Sequence, residues 1–68
     1  MKRYNVEIRV RAVREREKRV TKYKVSKSSY DKAEIDEAIK EQEDLLINEL
    51  DSGSYVKYRR WEEEEEEN

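Results

Sequence analysis

The residues best suited to chemistry lie near the end of the chain, where cations and aromatic rings run directly into a series of carboxylates. Residues 55–61 read YVKYRRW, and Glu62 begins six consecutive glutamates. Arginine and lysine neutralise phosphates, and tyrosine or tryptophan rings offer surfaces on which bases stack. The first segment therefore has the side chains of an anion-binding surface, whereas the second segment is itself an anion.

The chain lacks the side chains on which most acid–base and nucleophilic catalysis depends. It contains no histidine and no cysteine, so its serines have no imidazole base and no thiolate or imidazole metal site can form. Its single glycine excludes a glycine-rich phosphate loop. Glu34, Glu37 and Glu41 have helical spacing, but such acids are far more often solvated than bound to a metal. We expect no enzyme, no metal, no cofactor and no small-molecule substrate.

Two segments in the first half of the chain alternate apolar and polar residues, which is the period of half-buried β-strands. They span residues 4–12 and 20–26. The sequence between them contains no Asn-Gly or Asp-Gly, so we expect a loop of about four residues, at 15–18. Centring the hairpin within this loop places apolar positions opposite apolar positions, for example Ile8 opposite Val25, which is the test of register.

The same register brings like charges together on the other face of the hairpin. Arg9 falls opposite Lys24, and Arg11 falls opposite Lys22. Like charges that are directly opposed across a strand pair cost stability. We therefore expect a partner that neutralises this face.

A helix follows, and the sequence marks both of its ends. Asp31 and Glu34 have the spacing of a capping box, and Gly53 stands where a left-handed C-terminal cap is expected. Between them an apolar stripe recurs every three or four residues opposite an acidic face. The stripe comprises Ile35, Ala38, Ile39, Gln42, Leu45, Leu46 and Leu50. We place Gln42 at the boundary of the stripe, with its amide in water.

A third strand after the glycine is predicted to turn Val56 and Tyr58 towards the core. The first strand is the longest and most apolar, so we place it between the other two, antiparallel to both. The predicted fold is α+β: a two-layer ββαβ domain at residues 1–61, with a three-stranded antiparallel sheet in the order 2-1-3 and one helix on one face. Residues 62–68 are predicted to form a disordered acidic tail.

This fold would sort a net charge of −2 into two oppositely charged surfaces. The exposed sheet face, here called the basic face, is predicted to contain Arg9, Arg11, Lys22, Lys24, Tyr55, Lys57, Arg59 and Trp61. The exposed side of the helix, here called the acidic face, is predicted to contain Glu34, Glu37, Glu41 and Asp44. The favoured hypothesis is a small non-catalytic module that binds nucleic acid on the basic face, with the acidic tail folding back to mask it.

Two other hypotheses remain open. The acidic face could imitate a phosphate backbone and occupy a nucleic-acid-binding protein, as small viral inhibitors do. Alternatively, the chain is a self-assembling or designed domain without a ligand, because half of its residues are charged and it has no proline, a composition common in thermophile and designed proteins. The alternative to base stacking for Trp61 is that its ring caps the core edge or lies in a dimer interface.

Partners and location follow from the same features. An exposed edge strand and complementary faces favour a homodimer. No segment approaches the roughly 20 apolar residues of a membrane span, and the N-terminus leads into no signal-like apolar run. We therefore expect a cytoplasmic protein that does not contact membranes.

Overall fold

The computed structural model describes residues 1–66. Its elements in chain order are β1 (Lys2–Arg14), a 3₁₀ turn (Glu15–Glu17), β2 (Arg19–Ser29), α1 (Lys32–Asn48) and β3 (Tyr55–Glu64). The strands form one sheet in the order β2-β1-β3, both pairs are antiparallel, and α1 packs on one face. The α+β two-layer fold and the strand order predicted from the sequence are confirmed.

The hydrophobic core lies between α1 and the inner face of β1. Alternate residues of β1 are buried because this strand is central and the helix crosses it. The buried apolar side chains are Val6, Ile8, Val10, Ala12, Ile35, Ala38 and Ile39. Burying a Val or Ile side chain contributes about 1.5–3 kcal/mol relative to leaving it exposed, so β1 supplies much of the stability that positions the outer face.

The hairpin register is the predicted one. Ile8 pairs with Val25, and Val10 pairs with Tyr23. The loop lies at residues 15–18, where Lys18 adopts a left-handed conformation (φ 53°) and its N–H donates to the Glu15 carbonyl at 3.1 Å. Since side chains alternate between faces, this register determines which cations share the outer face.

The N-terminus of α1 differs in detail from a capping box. The Asp31 carboxylate caps the helix by accepting from the Ala33 N–H at 2.9 Å, as predicted. The Glu34 carboxylate does not return to the Asp31 N–H, because the Ser29 hydroxyl accepts that hydrogen at 3.0 Å and donates its own to Glu34. Ser29, the last residue of β2, therefore links the sheet to the helix start.

Gly53 has the predicted left-handed conformation but does not cap α1. The helix ends at Asn48, and the N–H of Glu49 donates to the Leu45 carbonyl at 3.0 Å. Gly53 (φ 91°) is the third residue of a separate turn, which the Ser54 N–H closes on the Asp51 carbonyl at 3.2 Å. A glycine is needed there because the position requires positive φ.

The apolar stripe of α1 is buried at its start and only half-buried beyond Gln42. The Gln42 amide oxygen accepts from the Tyr23 hydroxyl at 2.7 Å, so it is held by the sheet rather than directed into water. Ile47 falls outside the stripe and is 77% exposed.

The third strand is longer than predicted. Pairing with β1 continues beyond Trp61 through Glu64, which lies opposite Lys2. The prediction of a disordered tail from residue 62 is therefore wrong for residues 62–64, because the start of β1 offers them a pairing strand. Residues 67 and 68 of that predicted tail lie outside the described part of the chain.

The molecule is a long, thin plate. Its principal extents are 53 × 17 × 13 Å and its radius of gyration is 14.6 Å, against about 11 Å for a compact domain of this length. Within residues 1–66 a single helix covers one face of the sheet, and no element covers the other. No helix in this part of the chain has the length and apolar character to cross a membrane.

Candidate nucleic-acid interface

The outer face of the sheet arranges its side chains in rows that run across the three strands. Alternate residues of a strand share a face, and the two registers align those residues between strands. From one end to the other, the rows are Lys22–Arg11–Tyr55, Lys24–Arg9–Lys57, Ser26–Glu7–Arg59 and Ser28–Asn5–Trp61. All eight residues predicted for the basic face therefore lie on one surface.

One row consists entirely of cations. Lys24, Arg9 and Lys57 lie side by side, with Lys22 and Arg11 in the next row. Residues directly opposite across strands have Cβ atoms about 4.5–5.5 Å apart, and like charges at such positions are destabilising. Among residues 1–66, no ion pair neutralises Arg11, Lys22, Lys24 or Lys57.

Glu7 also lies on this face, although it was not among the residues predicted for it. Its side chain is 19% exposed, and its carboxylate lies 3.1 Å from Arg9 Nε and 3.9 Å from Arg59 Nη2. The four rows therefore combine six cations with one central carboxylate, for a net charge of +5. The sequence pattern predicts this position, because Glu7 belongs to the same alternating set of β1 residues as Arg9 and Arg11.

The two aromatic residues of the basic face lie against cations of their own strand. Lys57 Nζ is 5.0 Å from the ring centroid of Tyr55, and Arg59 Cζ is 4.9 Å from that of Trp61. Such cation–π contacts contribute about 0.5–1 kcal/mol at exposed sites. Tyr55 and Trp61 are 37% and 39% exposed, so both rings are positioned on the surface rather than packed in the core.

Arg11 is anchored more deeply than its neighbours. Its side chain is half-buried, and its Nε is buried without a hydrogen-bond partner in the described structure. An unsatisfied buried donor costs about 1–3 kcal/mol, more when it is charged. The basic face thus contains an unsatisfied donor as well as uncompensated charge.

Residues 62–65 of the glutamate run lie beside the first residues of the chain, not over Arg9 and Arg11. Lys2 Nζ is 3.4 Å from Glu62, Arg3 Nη1 is 3.1 Å from Glu65, and the terminal ammonium of Met1 is 3.3 Å from Glu64. The hydrogen bond and negative charge of Glu62 raise the pKa of the Lys2 ammonium above its usual range. We call this contact between residues 1–3 and 62–65 the terminal clamp.

Two neighbouring polar side chains reinforce the terminal clamp. Asn5 is only 3% exposed; its amide nitrogen donates to Glu63 at 3.1 Å and its amide oxygen accepts from the Ser28 hydroxyl. It therefore joins all three strands. The Tyr30 hydroxyl donates to Glu65, and this hydrogen bond raises the pKa of the Tyr30 phenol.

The acidic face of α1 is partly occupied by contacts within the chain. Glu34 accepts from Ser29, and Asp44 pairs with Lys40 at 3.1 Å. Glu37 and Glu41 are exposed, and neither forms an ion pair with any residue from 1 to 66. In the same span, no three acidic side chains are grouped so that they could hold a metal ion.

Asp36 was not among the predicted acidic residues, yet it forms the ion pair between α1 and β3. Arg60 Nη2 donates to its carboxylate at 2.7 Å. Arg60 lies on the inner face of β3, so the contact attaches the edge strand to the helix. The feature of the sequence that indicates this contact is the position of Asp36 in the helix, one residue after Ile35.

Comparison with protein-family models, curated proteins and solved structures found no match to this chain. Function is therefore inferred from the geometry and charge of the described residues.

Proposed function

We propose that the protein is a small non-catalytic binding module that holds nucleic acid on the basic face. The observation that carries this proposal is the row of cations Lys24–Arg9–Lys57, continued by Lys22 and Arg11. A polyanion laid across these rows would neutralise side chains that repel one another in the free protein. Binding would gain from the release of condensed counterions.

The backbone geometry of the sheet gives this surface a regular spacing. Neighbouring strands are about 4.8 Å apart, and residues on one face recur about every 6.8 Å along a strand. The face therefore offers a grid of positive groups that can contact several phosphates at once. Arg11 adds a buried Nε–H without a hydrogen-bond partner among the described residues.

Tyr55 and Trp61 supply the second component of nucleic-acid binding. They lie on the same face of β3 and flank its two outer cations, Lys57 and Arg59. Their exposed surface could stack on bases, a contact that tolerates any base because every base has a π-face. We therefore propose binding without strong sequence preference, in an intracellular location where nucleic acid is accessible.

The glutamate run has a structural role in this proposal. The sequence predicted that it masks the basic face, but Glu62–Glu65 engage residues 1–3 at the far end of β1. We propose that the terminal clamp keeps β3 paired over its full length. Trp61 and Arg59 are thereby held in the rows that β1 defines.

The acidic face supports a second candidate, an inhibitor that occupies a nucleic-acid-binding protein. Its basis is the pair Glu37 and Glu41, which are exposed and free of ion pairs within the described chain. This candidate has less support than the first, because Glu34, Asp36 and Asp44 are already engaged by Ser29, Arg60 and Lys40.

Fluorescence anisotropy of a labelled oligonucleotide, titrated with the full chain at low and moderate salt, tests the proposal. The variant K24Q/K57Q removes two charges of the central row, and K27Q/K32Q removes the same charge from exposed positions outside the basic face. We expect K24Q/K57Q to bind more weakly and to lower the salt slope by about 1.4–1.8, since each phosphate contact contributes about 0.7–0.9.

The control K27Q/K32Q is expected to change the affinity and the slope much less. Absence of salt-sensitive binding by the unmodified chain would refute the proposal. Equal losses in the two variants would show that net charge, and not the basic face, determines binding.

A further inference from the structure

The charges of β3 are arranged symmetrically about Trp61. Arg60 and Glu62 are one residue away on either side, Arg59 and Glu63 are two, and Lys57 and Glu65 are four. The cations all precede the tryptophan and the carboxylates all follow it. An antiparallel copy of this segment, centred on Trp61, would place each of these cations opposite a carboxylate.

The backbone of β3 is oriented for such a copy. Met1 and Glu65 exchange two hydrogen bonds of 2.8 Å, so the odd-numbered residues of this segment direct their N–H and C=O groups towards β1. In an antiparallel ladder the alternate residues face the other way. The groups of Tyr58, Arg60, Glu62 and Glu64 therefore point away from the sheet, at its free edge.

We propose that two copies of this chain associate through antiparallel pairing of their β3 strands, with the two-fold axis at Trp61. The strand order of the resulting six-stranded sheet is β2-β1-β3-β3-β1-β2. Arg60 would exchange backbone hydrogen bonds with Glu62 of the second copy, and Tyr58 with Glu64 of the second copy. These pairs supply about eight hydrogen bonds in all, and such a self-complementary interface closes as a dimer.

Other registers of β3 against itself are worse. After a shift by one residue, the N–H and C=O groups that point to the free edge in one copy would lie opposite residues whose N–H and C=O groups point towards β1 in the other. The backbone pairing would therefore fail. Centring on Arg60 would place that arginine opposite its own copy, and centring on Glu62 would do the same with a carboxylate. Like charges directly opposite are destabilising. The register centred on Trp61 opposes no like charges.

The other edge of the sheet disfavours self-association. β2 carries only positive charge, with Arg19, Lys22, Lys24 and Lys27 and no acidic residue. Two β2 edges would therefore repel, and lysines on an edge strand are a common protection against such pairing. The difference between the edges favours a closed dimer through β3. This inference does not depend on the proposed nucleic-acid binding.

Sedimentation equilibrium of the full chain at high protein concentration and low salt tests the inference. We expect a mass of twice 8.4 kDa that falls towards the monomer as salt rises, because ion pairs at an exposed edge are screened. A monomer throughout, or a series of masses above the dimer, would overturn the proposal.

Proline at position 64 tests the edge directly. Glu64→Pro removes an N–H that faces away from β1, whereas Glu64→Ala loses the same carboxylate and retains that N–H. We expect the proline variant to raise the dissociation constant at least about tenfold above that of the alanine variant. Equal dimerisation of the two variants would place the interface elsewhere.

A charge exchange gives an independent result if both position-64 variants are monomeric. In a dimer of R59E/R60E, glutamates at 59 and 60 lie opposite Glu63 and Glu62 of the other copy. In a dimer of E62K/E63K, lysines lie opposite Arg60 and Arg59. In a mixed dimer of the two variants, each of these positions lies opposite a residue of the other sign. Each variant alone should be monomeric, with circular dichroism confirming that it is folded, and an equimolar mixture should form a heterodimer. A mixture that stays monomeric would contradict the proposed register.

Discussion

Neutralising Glu7 should weaken the fold and strengthen the binding of nucleic acid at the same time. In Glu7→Gln the four rows from Lys22–Arg11–Tyr55 to Ser28–Asn5–Trp61 lose their one carboxylate, so their six cations remain. The glutamine has nearly the same shape and can still accept a hydrogen bond. The substitution therefore removes charge with little change in packing.

The expected loss of stability follows from the geometry of Glu7. A hydrogen bond to a charged group contributes about 1.5–3 kcal/mol, and here the distance from Arg9 Nε to Glu7 Oε1 is 3.1 Å. Arg9 is 72% exposed, so water and salt screen much of that contribution. We expect a loss of about 1–2 kcal/mol in the free energy of unfolding, or a thermal midpoint lower by roughly 4–16 °C.

Thermal unfolding followed by circular dichroism, at low and high salt, measures this effect. The variant should recover more stability than the unmodified chain as salt rises, because salt screens the cations that Glu7 no longer neutralises. Anisotropy titration of an oligonucleotide should show tighter binding by the same variant, because its face is more positive.

Glu17→Gln is the matched control for this substitution. Glu17 pairs with Arg19 at 2.9 Å, but both side chains are more than half exposed and lie in or next to the hairpin loop. We expect a loss of about 0–1 kcal/mol and little change in affinity. If Glu7→Gln behaves like this control in both assays, then Glu7 does not compensate the charge of the basic face.

Two further predictions concern the terminal clamp. The pKa values of Lys2 and Tyr30 are raised above 10.5 and 10.0, so the stability they contribute is complete below about pH 10 and is lost as the pH rises through their folded-state pKa values. The thermal midpoint of the unmodified chain should therefore fall in that pH range. The variant K2M/Y30F should show a smaller fall. Truncation after Trp61 should lower the thermal midpoint, because residues 2–4 lose their pairing strand. A truncated chain as stable as the full chain would exclude the terminal clamp as a stabilising element.

The strand pattern of the fold could be predicted because period-2 alternation leaves one acceptable register. In β1, a shift by one residue would carry Arg9 and Arg11 into the core and Ile8 to the surface. Because that shift would bury charge and expose an apolar side chain, only one register of the hairpin is acceptable. That register determines the outer face and its rows of cations. The helix was equally predictable from the spacing between Ile35 and Ile39.

The length of β3 was missed because it depends on a contact between distant parts of the chain. Glutamate is a poor strand former, so nothing local indicates that Glu62 and Glu63 continue β3. They do so because the start of β1 offers a pairing strand, on which Lys2 and Arg3 supply complementary charge. The helix start was missed for a local reason. The hydroxyl of Ser29, two residues before Asp31, accepts the Asp31 N–H in place of the Glu34 carboxylate.

The order of the strands also has a consequence for how the chain folds. Arg14 and Arg19 face each other across the hairpin loop, so β1 and β2 can pair outward from a nearby turn at small entropic cost. Lys2 and Glu64, in contrast, come from opposite ends of the described chain. Their pairing must wait until the helix has brought β3 back to the sheet. We infer that the hairpin forms early in folding and that the terminal clamp, between residues 1–3 and 62–65, forms last.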